Sequence, residues 1–285
     1  MVCVAYCVPA AYCQTSFKLV KKNGHYYTDA TINGNAGTPV FVETGFSGMV
    51  VSVELYNNIL VSLPLEEITL DKEEHLYTDK TMRRIVKLFK GKVPVGDLTY
   101  DGRVFVVDTH EDYVTLPVNL LKNETDTTAC MIRFNFKTNE LDYIRRDDVN
   151  LDKMHTYMLV ENDPMPIFVS KMELSDASGH HLTISGKFNF DLGNGSSVFF
   201  FRKAMLPLLK ERKFKIQVSR DKADNIIGHG IYAGYCKIGD KSNTGFSIGI
   251  TNHVWPTDEL GCVGPSFFQN GTVILDPNNN LIYYR

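Results

Sequence analysis

Two carboxylates in this 285-residue chain stand in the same local setting. Phe41-Val42-Glu43-Thr44-Gly45 and Asn189-Phe190-Asp191-Leu192-Gly193 each end an apolar run on an acid and place glycine two positions later. Such a run reads as a strand whose end carries the acid into a sharp turn, where glycine lets the backbone approach a neighbour or take positive φ. Two carboxyls brought close together cannot both ionise. They share a proton, and the pair can then act as general base and general acid on one bound water. That chemistry hydrolyses a peptide bond without a nucleophilic side chain. One acid in such a setting reads equally as a turn residue capping its own backbone; the second occurrence gives the chemical reading its weight.

The spacing of the two acids belongs to a repeat. Asp191 stands 148 positions after Glu43, and a second pair of blocks keeps nearly the same offset, with Asn123 and Asn270 separated by 147. Leu116-Pro117-Val118-Asn119-Leu120-Leu121-Lys122-Asn123 precedes the strand-like Met131 to Phe136, a turn and Leu141-Asp142-Tyr143-Ile144; Val263-Gly264-Pro265-Ser266-Phe267-Phe268-Gln269-Asn270 precedes Thr272 to Leu275, a turn and Leu281-Ile282-Tyr283-Tyr284. The simplest organisation is one unit present twice, over residues 17–150 and 151–285, after a segment 1–16. Pseudo-twofold symmetry would then bring the two acidic turns face to face.

The sequence resembles the aspartic peptidase clan of pepsins and retropepsins. In that clan each half carries two hydrophobic residues, Asp, Thr or Ser, and Gly, and later two hydrophobic residues and Gly before a short helix. The blocks around Glu43 and Asp191 carry the resemblance together with Leu116-Pro117-Val118 and Cys262-Val263-Gly264-Pro265-Ser266. The retropepsin-sized units also resemble the aspartyl-protease-like proteins of bacteria. The resemblance implies a mostly β, two-lobed fold of duplicated barrel units around a central cleft, with Glu43 and Asp191 as the catalytic dyad. It implies that Thr44, Gly45, Leu192, Gly193, Asn194 and Gly264 support the active-site loops, and that neither a metal nor a cofactor is used. Flap hairpins are expected around Leu65 to Arg84 and Val218 to Ile226, with His75, Tyr77 and Arg220 as candidates to touch a bound chain.

Four positions depart from the pattern. Glu43 stands where Asp is expected and adds a methylene, in a constellation that tolerates about half an ångström of misplacement. Leu192 lacks the hydroxyl that in the family ties one loop to the other, which leaves Thr44 to make the remaining tie. Phe46 replaces a small or hydroxyl residue, a support that Asn194 can supply in the second half, and Pro117 replaces a glycine. Three of the four lie in the first half, so two functions stay open: an endopeptidase, or a silenced homologue that binds an extended peptide in the same cleft. A structural surface component is the third reading.

Elements able to position these residues are mostly strands. Tyr26 to Ile32 and Thr38 to Val42 flank Asn33-Gly34-Asn35-Ala36-Gly37, and Phe168 to Leu174 and His181 to Phe190 flank Asp176-Ala177-Ser178-Gly179, so a hairpin precedes each acid. A further hairpin in each half is expected to turn at Asp101-Gly102 and at Asn243-Thr244-Gly245. Helical stretches are few: Glu54 to Leu60, Lys203 to Arg212, Asn119 to Lys122 and Ser266 to Gln269.

Composition narrows the alternatives. Thirty basic against 33 acidic residues give a net charge of −3 with both signs scattered, which argues against a nucleic-acid partner. No apolar stretch is long enough for a membrane span. The expected partner is a peptide or protein, and the expected state a monomer. His180-His181 lacks acidic ligands at metal spacing, and Gly193-Asn194-Gly195-Ser196 lacks the Gly-Lys ending of a phosphate loop. Met1 to Tyr12 carries no charge and reads either as the core of an export signal, which places the protein outside the cytoplasm, or as a first buried strand. Of the six cysteines, Cys236 and Cys262 are able to pair; the simpler reading makes them small buried hydrophobes.

Overall fold

The computed structural model describes residues 16–78, 81–125, 127, 131–161, 164–251, 257–269 and 271–285. The proposed export segment apart from Ser16, Cys130 and Asn270 lie outside the described residues.

Strand alternation sets the first sheet. In His25–Ile32 the side chains of Tyr26, Thr28, Ala30 and Ile32 are buried, and in Asn35–Glu43 those of Val40 and Val42 face the same core. Asn33 and Gly34 join the two strands, both at positive φ (47° and 78°), the conformation a two-residue hairpin turn requires and asparagine and glycine accept most readily. Among the described residues this sheet has ten strands. Asn35–Glu43 lies between His25–Ile32 and Val114–Pro117, and Met49–Ser52 and Leu98–Val107 follow on the far side of Val114–Pro117.

Among the described residues the second sheet has thirteen strands and joins the two halves. Its first six, in spatial order, are Ser16–Lys18, Glu140–Ile144, Met131–Asn135, Thr272–Asp276, Leu281–Tyr284 and His155–Glu161. Read from either end the order meets equivalent strands, so an approximate twofold axis passes between Met131–Asn135 and Thr272–Asp276, where Phe134 opposes Val273. The closing strands of both repeats thus build one shared layer. The main hydrophobic cluster of the described residues runs through both halves, with Phe134 of the first packed on Phe190 of the second at 5.7 Å between ring centroids.

Two expected turns lie elsewhere. Leu98–Val107 runs straight through Asp101-Gly102 and Lys241–Ile250 through Asn243-Thr244-Gly245; the chain reverses instead at Gly96-Asp97 and Gly239-Asp240. Gly96 and Gly239 hold φ of 58° and 59°, so the backbone selected the glycine that begins each two-residue loop. The expected helices appear as a short turn Val53–Leu55 continued by a wider turn Tyr56–Leu60, the helix Arg202–Glu211, and the single turns Val118–Leu120 and Pro265–Phe268. Cys236 and Cys262 are both buried and unpaired, as the simpler reading of them held. No helix among the described residues is long and apolar enough to cross a membrane.

Candidate active site

Each acid sits at the end of a strand flanked by a parallel neighbour. Glu43 is in register with Pro117 of Val114–Pro117, which also pairs antiparallel with Met49–Ser52. In the second half His181–Phe190 runs parallel to Gly261–Val263, which pairs antiparallel with Val198–Phe200. The chain therefore leaves each acid, turns, and returns on the far side of a strand from much later in the same repeat. Equivalent threading in the two halves aims both turns at the centre of the molecule.

There the loops interlock. Thr44, fully buried, donates its hydroxyl to Phe190 O at 2.9 Å and accepts from Leu192 N at 3.0 Å, so one side chain of the first loop bonds the second loop twice. Leu192 makes no reciprocal side-chain bond and is buried as a hydrophobe. Glycine is demanded on both sides: a β-carbon on Gly45 would stand 2.7 Å from Asp191 Cγ, and one on Gly193 would overlap Glu43 Oε2. Gly264 packs under Asn194 and Ser196, whose carbonyl oxygens a β-carbon would overlap.

The added methylene carries the Glu43 carboxyl across the interface. Its Oε1 accepts the backbone N–H groups of Thr44 and Gly45 at 2.7 Å each and that of Gly193, from the opposite loop, at 3.2 Å. Glu43 is buried and hydrogen-bonds to Asp191. Burial, and after it the neighbouring Asp191 charge, hold the Glu43 carboxyl well above the usual carboxylate range despite the opposing amides. With three amide donors on Oε1, the proton belongs on Oε2.

Other expected residues take different parts. Asn194 supports Asp191 through its backbone, whose N–H donates to Asp191 Oδ1 at 3.1 Å; its side-chain Oδ1 accepts from Ser196 N and Oγ and its Nδ2 is buried without a partner, so the side chain does not supply the missing hydroxyl. Phe46 turns into a small apolar cluster with Val50, Ile85, Leu88, Phe105 and Val107, joined by Leu76 from the first flap hairpin. That hairpin is narrower than expected, with His75–Thr78 pairing into the long strand Thr81–Val95; the second is Gln217–Arg220 with Ile226–Ile238. His75 Nε2 lies 3.3 Å from Glu73, Arg220 forms an exposed ion pair with Asp224 of its own hairpin, and Tyr77 pairs through its backbone with Met82.

One participant carried no motif. The first-lobe turn Asn23-Gly24 reaches the second active-site loop, where a β-carbon on Gly24 would stand 2.6 Å from Gly195 O and one on Gly195 would stand 3.1 Å from the His25 ring. The positive φ of Asn23 and Gly24 (54° and 86°) marks the turn, and only the tertiary arrangement shows what it touches. No cluster of three or more metal-ligating side chains occurs among the described residues.

No family model and no curated protein matches the chain. Among solved structures, the aspartic proteinase from Irpex lacteus is similar over 95% of this chain and 96% of that one, with a TM-score of 0.56 and 11% identity. At that identity the likeness speaks for the fold alone, and the fold is the mostly β, two-lobed architecture of the aspartic proteinases.

Proposed function

We propose that the chain is an aspartic-type endopeptidase whose general acid and base are Glu43 and Asp191. The observation that carries the reading is the pair of buried carboxyls held together between interlocked loops from the two halves. In this mechanism Asp191 takes a proton from a water held between the carboxyls as its oxygen attacks the scissile carbon, while Glu43 gives the proton on Oε2 to the carbonyl oxygen. Collapse of the resulting diol breaks the C–N bond. Asp191 returns its proton to the leaving amine, and Glu43 recovers its own from the diol. The Glu43 side chain points toward Asp191 and Phe46 packs away into its own cluster, which favours chemistry over a cleft that only binds.

Incubation with a denatured protein over about pH 3 to 7, where a coupled carboxyl pair titrates, tests the reading. Wild type is expected to cleave, and Asp191→Asn to lose cleavage by at least about a thousandfold, as expected when the general base is removed from a cooperating pair. Absence of cleavage by wild type together with activity in Glu43→Asp would show a silenced dyad. If neither variant cleaves, the endopeptidase is abandoned.

A further inference from the structure

Asp191 has a neighbour that the repeat pattern does not explain. Along His181–Phe190, Asn189 faces opposite to Phe188 and Phe190, and Cys262 is its register partner on the parallel strand Gly261–Val263. The next residue on that strand, Val263, accepts Asp191 N at 3.1 Å and so draws the acid alongside. Cys262 therefore shares its face of the sheet with Asn189 and lies beside the Asp191 carboxyl, buried and free of any disulfide. Apart from Glu43, side-chain donors among the described residues are otherwise missing around this acid: Leu192 has no hydroxyl, and Asn194 Nδ2 is buried without a partner.

We propose that Cys262 is a positioning residue whose S–H donates to the Asp191 carboxylate, replacing the hydroxyl support that Leu192 and Asn194 do not provide. The proposal deepens the dyad reading and rests on it. Burial, then the adjacent Asp191 and Glu43, push the thiol well above its ordinary range, so it stays a donor throughout the working pH. The titratable groups around it are Asp191 itself, Glu43 from the first loop and Glu259 from the segment before Gly261–Val263; Lys187, on the Asp191 strand, is paired with Glu161 and Asp258. A donor to the charged form of one acid favours ionisation of the pair. The reacting atoms lie beyond the thiol, which acts only through Asp191.

The test titrates 13C-labelled side-chain carboxyls by NMR over about pH 2 to 8 in wild type, Cys262→Ala, Cys262→Val and Cys262→Ser, with Asp191→Asn assigning the resonances. Removing the donor in Ala or Val is expected to raise the lower midpoint of the pair by about half a unit, the size of one weak hydrogen bond, whereas Ser keeps it at or below the wild-type position. Val preserves the packing volume should Ala fail to fold. An unmoved midpoint in Ala and Val, or a Ser variant that shifts with them, overturns the proposal. The readout needs no turnover, so failure of the endopeptidase assay and failure of this proposal are separate results. In an active enzyme the acid limb of the kcat/KM profile is expected to move by the same amount with KM unchanged; a changed KM with a fixed limb counts against it.

Discussion

Glu43 carries two opposing demands. Its Oε1 is held by three amide donors, which favour the charged carboxylate, while burial and Asp191 favour the neutral acid and prevail. Because its folded titration is raised above the ordinary value of 4.5, its contribution to stability is complete below that pH and is lost as pH rises toward the folded midpoint. Glu43→Gln keeps an acceptor for the amides and cannot ionise. It is expected to match wild type near pH 4 and to exceed it by roughly 1 to 3 kcal/mol at neutral pH, read from urea unfolding at a series of pH values. A difference that does not grow with pH would contradict the assignment. Gly193→Ala places a methyl on Glu43 Oε2 and is expected to cost about 1 to 3 kcal/mol in the same assay and to abolish any activity, since one acid must move.

Between elements, the tie of the two loops is asymmetric. Thr44 supplies both side-chain bonds and Leu192 none, so the first loop, which departs further from the family pattern in sequence, holds the second in place. Thr44→Val leaves Leu192 N and Phe190 O buried without their partner and is expected to cost about 2 to 3 kcal/mol, while Thr44→Ser recovers most of the loss. Equal unfolding midpoints for Val and Ser would show that packing, and not the hydroxyl, joins the loops. The hairpins teach a related lesson: Gly96-Asp97 and Gly239-Asp240 turn the chain because strand pairing on both sides must close, and the more turn-like Asp101-Gly102 lies where a continuous strand buries Tyr100, Val104 and Val106.

Across the molecule, the two repeats are not separable bodies. Met131–Asn135 and Thr272–Asp276 pair with each other, Arg146 of the first repeat reaches Asp276 of the second at 2.6 Å, and the aromatic core is continuous from Phe134 to Phe190. Residues 17–150 and 151–285 produced separately are expected to lack cooperative thermal unfolding, each exposing a strand edge that its partner covers. In the full chain, amides of the paired strands are expected to exchange with solvent only through global unfolding. A half that melts cooperatively by itself, or early exchange at Phe134 and Val273, would separate the lobes.

By itself the sequence determined the duplication, the strand-ending acids, the hairpins before them and the buried character of Cys236 and Cys262, because each follows from local alternation, turn chemistry or spacing along the chain. Glycine at 45 and 193 was legible as a demand for close approach, though not for which atoms. Only the tertiary structure decided that the longer Glu43 side chain reaches the opposite loop's amide, that Asn194 serves Asp191 through its backbone, that Asn23-Gly24 abuts Gly195, and that Cys262 lies on the second acid. Those contacts join residues up to 171 positions apart, as for Gly24 and Gly195, or depend on strand threading. Their energy depends on distances of a few tenths of an ångström, which no periodicity in the chain encodes.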